Sequence, residues 1–346
     1  MSAIDVSVAG DPGPASLRPE RASSPRVSPP SAWWQRGMLL AGVVGLVVLL
    51  WSLPRANWAV LFVRVGPFFP LLAAIALGWM ALYARALRVI LDGSVAWGRL
   101  VRNRVVGDAY NVIMPLGDVG GDPIRIADLG AQVGTAAGVR AIVFDRLVYV
   151  TGGFLFSAVS SAVAVRAFDW DSRLEWLLSG YVAAALTTAV ALFLLTTHAA
   201  TARWIGRGLR FVRVPVPELP AALPVRTFVR ALLWNLLARA GVLLELSILL
   251  LALGQPLRLD AIVGISAIMS VAGIVFTFVP NGIGVNEGAA VLALTLTGYG
   301  ESVGLAVGLA RRARQLLLAM GGIALYSLGR RRHEPGLGHP RSGKWA

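Results

Sequence analysis

Two short stretches of this chain put charged side chains where apolar ones would be expected. The first, NVIMPLGDVGGDPIR at 111–125, sets Asp122 and Arg125 three residues apart among glycines and prolines. The second, PNGIGVNEGAA at 280–290, sets Glu287 seven residues after Pro280, just as Asp122 stands seven after Pro115. Gly117 and Gly282 each follow their proline by two, so the stretches form a weak internal repeat in which each acid opens an apolar helix. Asp122 suits an N-cap and Pro123 the first helical position, while Gly120 and Gly121 permit a sharp turn before them. A helix N-terminus offers free N–H groups and the positive end of a dipole, which suit an anion such as a lipid phosphate. A plain cap, with Arg125 snorkelling to the membrane interface, is the alternative.

Further charges stand inside apolar surroundings. Asp145 and Arg146 lie in RAIVFDRLVYV, Arg311, Arg312 and Arg314 in GLARRARQLLL, and Glu245 in GVLLELSILL six residues after Arg239. An ion at mid-bilayer costs about 2.5–3.5 kcal/mol or more, so such groups should pair, face the bundle interior or line a wet path. At helical spacing Arg311 and Arg314 share a face, where they would grip a phosphate or neutralise Glu287; the alternative is that they only mark the cytoplasmic membrane boundary, where Lys would serve as well. Arg312 points about 100° away and is expected to tolerate Lys.

Several chemistries are excluded. The chain has no cysteine, which removes disulfides, thiolate catalysis and Cys-ligated metals. His198, His333 and His339 have no metal-ligand spacing, no GxxxxGK[ST] loop exists, and GIGVNEG misses the dinucleotide spacing. No cofactor is expected. The net charge of +14 sits in clusters between apolar segments, which fits membrane topology and not nucleic acid.

The elements that must hold these residues are membrane helices. Of 346 residues 56% are hydrophobic and 14% charged, and the mean hydropathy is +0.69, outside the range of ordinary globular domains. The pattern predicts an all-α polytopic transmembrane helical bundle of about seven or eight spans, with a re-entrant or broken-helix segment near 105–125. Apolar segments lie at roughly 37–53, 65–84, 141–165, 175–195, 231–253, 261–280, 288–298 and 303–328. Residues 1–34 read as a disordered cytoplasmic tail, 35–329 as the membrane domain and 330–346 as a basic cytoplasmic tail. Arginine-rich loops at 85–104 and 196–230 are expected in the cytoplasm, with the N-terminus also inside. Residues 105–140 should then enter the membrane and return, or lie at the interface. The same count of crossings puts both Gly-rich breaks on the cytoplasmic side, a poor fit to an inverted repeat unless one late segment spans only halfway.

The motifs NVIMPLGDVGGDPIRIADL, FVPNGIGVNEGAAVLALTLTG and LARRARQLLLAMGGIALY resemble the lysylphosphatidylglycerol synthase transmembrane-region family, also called flippase-like, and within it the hopanoid-biosynthesis-associated membrane proteins. The resemblance covers roughly 35–329. The family often has Glu where Asp122 stands. The resemblance implies handling, flipping or trafficking of charged or isoprenoid lipids in the bacterial inner membrane. Aminoacyl transfer belongs to a separate soluble domain in bifunctional relatives, for which the residues after Gly329 are too few. The expected partners are membrane lipids, with lipid-biosynthesis enzymes a second class. The candidate head-group site is Asn111, Pro115, Gly121, Asp122, Arg125, Asp145, Gly284, Glu287, Arg311 and Arg314. The alternative is a membrane-embedded transferase, or the partner of a glycosyltransferase acting on a polyprenyl-phosphate or phospholipid, in which Asp122 or Glu287 is a general base.

Overall fold

A computed structural model describes residues 61–114, 120–168, 171–200, 222–276, 282 and 284–331. The apolar segment at 37–53, both terminal tails beyond these bounds, the arginines of 201–221 and Pro115 lie outside the described residues. Within them every regular element is a helix. After a short entry at 61–68, the helices are α1 (Phe69–Ile90), α2 (Trp97–Ile113), α3 (Asp122–Val133), α4 (Thr135–Ala167), α5 (Ser172–Thr197), α6 (Val225–Ala252), α7 (Leu259–Val275), α8 (Val285–Leu296) and α9 (Glu301–Arg331).

Among the described residues four stretches are long and apolar enough to cross a membrane: Val63–Ile90, Thr135–Ala167, Ser172–Thr197 and Val225–Ala252. The 31 residues of α9 reach about 46 Å at 1.5 Å per residue, ample for a crossing, but carry the three arginines in their first half. The protein is a multi-pass membrane bundle.

Two pairs of helices are shorter. The 17 residues of α2 and the 12 of α3 form the broken-helix segment expected near 105–125. They fold back on one another, because Arg99 near the start of α2 donates to Gln132 near the end of α3 at 3.4 Å, and Asn103 donates to Asp128 at 2.9 Å. The 17-residue α7 and 12-residue α8 repeat this plan. Tyr299 donates to the carbonyl of Pro256 at 2.9 Å, which closes the mouth of the second hairpin. The segments near 261–280 and 288–298 are therefore one re-entrant hairpin, since 17 and 12 residues reach only about 26 and 18 Å.

The two halves of this arrangement correspond. Helices α1–α4 and α6–α9 are two copies of one plan: a long helix, a hairpin of 17 and 12 residues, and a longer helix of 33 or 31. Helices α1 and α6 pack together along their length, and Arg64 near the start of one reaches the Leu253 carbonyl at the end of the other, so they run antiparallel. Leu72 of α1 joins an apolar cluster with Leu249, Ile262, Leu294 and Val307, while Ala84 and Leu87 of α1 join another with Leu100, Leu129 and Ile142. The mouths of the two hairpins thus sit at opposite ends of α1. The late hairpin does go only halfway, and the two copies are inverted. Each hairpin also leans on the other copy, α2 along α9 and α7 along α4.

The expected loop at 85–104 shrinks to the connection 91–96, because α1 continues to Ile90 and α2 begins at Trp97. Arg104, expected in cytoplasmic solvent, is buried seven residues into α2.

Candidate functional site

The first turn of α3 is built by absent side chains. A Cβ on Gly121 would fall on the carbonyl oxygen of Gly107, and one on Gly107 would fall on the Arg125 side chain. Only glycine at both positions lets the arms of the hairpin close with Arg125 threaded between them. The Gly121 amide donates to Asn111 Oδ1 at 2.6 Å. Both groups are consumed in holding the turn.

Asp122 differs from its expected role as N-cap. The cap residue is Gly121, Asp122 is the first helical residue, and its side chain makes no capping bond. Its Oδ2 instead accepts from Arg146 Nη2 at 2.9 Å and Nε at 3.1 Å, and its Oδ1 from Arg125 at 3.4 Å. Arg125 passes on to Asp145 at 2.6 Å, and Asp145 also faces Arg104 at 3.6 Å, which pairs in turn with Asp108 at 3.2 Å. Three arginines and three aspartates balance here, with Asp145 only 2% exposed. Such a network in low dielectric is most stable when every charge is paired.

The second hairpin repeats the chemistry. Gly284 caps α8 with a positive φ of 78°, and its amide donates to Glu287 Oε2 at 2.8 Å. Glu287 Oε1 accepts from Arg312 Nε at 3.0 Å. The expectation that Arg311 or Arg314 neutralises Glu287 is corrected, since both turn to Glu245, at 3.4 and 2.6 Å. They do share a face, as 3.6-residue periodicity requires. Arg312, on the other face, meets α8 through Gly304 and Gly308, where a Cβ would stand 2.6 and 3.1 Å from the α8 backbone. The copies match in detail: the acid opening each 12-residue helix pairs with an arginine of the next long helix, 24 residues on in one case and 25 in the other.

Two adjoining chambers of ≈ 390 and ≈ 370 Å³ lie between the hairpins, the first against Asn111 and Val112 at the end of α2 and against Val285 and Asn286 at the start of α8. Tyr149, Arg239, Asn286, Arg314 and Gln315 line both. Asn111 faces the first, Glu287 and Arg311 the second. Asp122, Arg125 and Asp145 are not in the walls; they form a layer behind that holds Arg104 and Arg146, which are. Neither Gly121 nor Gly284 lines a chamber, and Pro115 lies outside the described residues.

Aromatic rings that no sequence motif marks seat several of the guanidiniums. Tyr149 is ringed by three guanidiniums, those of Arg239, Arg104 and Arg146 at 4.7, 5.2 and 5.6 Å from its ring centre. Arg104 also lies over Tyr83 at 4.7 Å, and Arg314 over Trp79 at 4.8 Å. A ring face attracts a cation most when both are desolvated. The signal for Tyr149 was its place four residues after Asp145, on the same helix face. The signal for Arg239 was its position inside an apolar run.

Across the site seven arginines (Arg104, Arg125, Arg146, Arg239, Arg311, Arg312, Arg314) face five carboxylates (Asp108, Asp122, Asp145, Glu245, Glu287). Two positive charges remain in excess. The cavity suits a polar group that carries negative charge, presented between apolar helices.

A family model described as the lysylphosphatidylglycerol synthase TM region matches residues 38–321. No curated protein and no solved structure matches the chain.

Proposed function

We propose that this chain, which belongs to the lysylphosphatidylglycerol synthase transmembrane-region family, moves a membrane lipid between leaflets by receiving its head group in the paired chambers. The observation that carries the proposal is the placement of the cavity: two joined polar chambers between re-entrant hairpins that open toward opposite ends of the bundle. Irregular backbone at membrane depth is tolerated where it lines a polar cavity, and broken helices at matching places of inverted copies mark a transporter's central site. The lipid's chains would stay among the exposed apolar side chains of the helix exteriors while the head group crosses.

The residues expected from the motifs take two roles in this scheme. Asn111, Glu287, Arg311 and Arg314 face the head group; Asp122, Arg125 and Asp145 fix the arginines behind it. On this reading residues 91–96 and the N-terminus lie on the cytoplasmic side of a bacterial inner membrane, a sense that the arginines flanking 91–96 support through the positive-inside rule. The motif resemblance to the hopanoid-associated branch keeps a hopanoid or isoprenoid lipid among the cargoes, beside charged phospholipids. The transferase alternative draws no support from the geometry, because Asp122 and Glu287 are both committed to guanidiniums and neither is poised as a general base.

The test is transport by purified protein in vesicles carrying tail-labelled lipids, followed by chemical quenching of the outer leaflet. Wild-type protein should speed leaflet exchange of at least one phospholipid or hopanoid, and Arg146→Gln should abolish it. Exchange no faster than in protein-free vesicles across that panel would end the transport proposal.

A further inference from the structure

The seven arginines are not equivalent. Six stand within ion-pair distance of a carboxylate. Arg239 has no carboxylate partner among the described residues. Its Nη2 donates to the backbone carbonyl of Tyr149 at 2.8 Å, its guanidinium lies over the Tyr149 ring at 4.7 Å, and its Nε is buried with no hydrogen-bond partner. It stands on the wall common to both chambers, beside Arg314 and the amide of Asn286.

A cation held at this depth without a counter-ion is costly, since one unpaired charge in low dielectric outweighs what a carbonyl and a ring return. The groups around it are donors: a guanidinium with an idle N–H, a second guanidinium already half-neutralised by Glu245, and a side-chain amide. The planar fork of Arg fits the oxygens of a phosphate at two points, and nothing acidic on this wall competes for it. Helix packing explains how the group is kept there. A Cβ on Gly153 of α4 would stand 3.0 Å from Arg239 Nη2, so glycine at 153 leaves the space that the guanidinium occupies.

We propose that the wall shared by the two chambers is a phosphate site, built for the monoester or diester phosphate of a net-anionic ligand, with Arg239 as its uncommitted cation. This deepens the transport proposal and rests on it for the ligand's route, not for its chemistry. The two excess positive charges make the site discriminate by charge. An anionic phospholipid is favoured over one whose head group carries added amines.

The experiment measures ligand binding to the full-length protein in detergent by native mass spectrometry. The probes are phosphatidylglycerol, lysylphosphatidylglycerol, phosphatidylcholine, diacylglycerol and free glycerol 3-phosphate. Phosphatidylglycerol should bind at least about tenfold more tightly than lysylphosphatidylglycerol or phosphatidylcholine, and diacylglycerol should not compete. Arg239→Gln should remove that preference, with Arg239→Lys keeping part of it. Tighter binding of phosphatidylglycerol than of glycerol 3-phosphate assigns the site to a lipid; equal affinity keeps the phosphate site but assigns it to a soluble ligand. If Arg239→Gln does not purify, Gly153→Val, which displaces the guanidinium without removing its charge, should produce the same loss. Unchanged preference in a folded Arg239→Gln or Gly153→Val protein, or equal binding of all the phospholipids, overturns the phosphate site. Leaflet exchange without any charge preference in binding would sink this inference alone, whereas Arg239-dependent binding without leaflet exchange would sink the transport proposal alone.

Discussion

Glu245 offers the sharpest test of whether the ion pairs organise the cavity. It is wholly buried in the C-terminal third of α6, with Arg314 Nε 2.6 Å from one carboxylate oxygen and Arg311 Nε 3.4 Å from the other. Glu245→Leu keeps the volume roughly constant and strands Arg314, whose remaining neighbour is the Trp79 ring at 4.8 Å. Removing one partner of a buried pair costs about 3–5 kcal/mol, because the other charge stays desolvated. Arg311 is 23% exposed and also touches Met269 Sδ at 3.2 Å, so it can turn to water and adds little. The expected cost is therefore near the lower bound, about 3 kcal/mol. The double variant Glu245→Leu with Arg314→Met removes both charges and should recover most of that loss, a coupling of about 2–3 kcal/mol. It should still fail in leaflet exchange, because Arg314 lines both chambers. Stability is read from reversible unfolding in mixed micelles by tryptophan fluorescence, beside exchange in vesicles. A loss under about 1 kcal/mol for Glu245→Leu, or a double variant no more stable than the single, would refute the claim that this pair is held by desolvated charge.

Three further outcomes are expected. Because the chain has no cysteine, single cysteines at Arg99, Gln132, Leu257 and Glu301 report topology directly; the first two should label from one side of the membrane and the last two from the other, and labelling of all four from one side would exclude the inverted arrangement. Asp122→Asn should destroy leaflet exchange with normal expression, since Asp122 makes no capping bond and its charge holds Arg146 at 2.9 Å; full exchange activity in that variant would remove the ion pair from the mechanism. Arg312→Lys should lose activity despite the tolerance that its helical phase suggested, because its Nε and Nη1 contact Glu287 and Gln315 at once, at 3.0 and 3.3 Å, and an ammonium cannot span both; activity equal to wild type at matched protein levels would show that charge alone suffices there.

The membrane character, the all-helical fold and the broken segment after residue 105 were legible in the sequence, because they follow from local quantities. Apolar run length sets what can cross, and glycine with proline sets where a helix must stop. The paired spacing of Pro115 to Asp122 and Pro280 to Glu287 likewise exposed the repeat. Its sense was not legible. Whether 261–280 and 288–298 cross or fold back depends on the contact between Tyr299 and Pro256, 43 residues apart, which no window of hydropathy contains.

Partner choice among the charges was decided by tertiary structure alone. Helical phase put Arg311 and Arg314 on one face, and that holds; which acid they meet depends on how α9 packs against α6 and α8. The close approach at Gly304 and Gly308 gives Glu287 to Arg312, and the buried face of α6 gives Glu245 to Arg314. Asp122 looked like a cap because Asp is a good one, yet the Gly107–Gly121 contact sets the start of the helix one residue earlier and frees the carboxylate for Arg146. That Arg239 meets a carbonyl and a ring, and no carboxylate among the described residues, is likewise a property of the assembled bundle. A sequence records which residues carry charge, but pairing is fixed by which helices touch, and only packing brings side chains 20 to 70 positions apart within 3 Å.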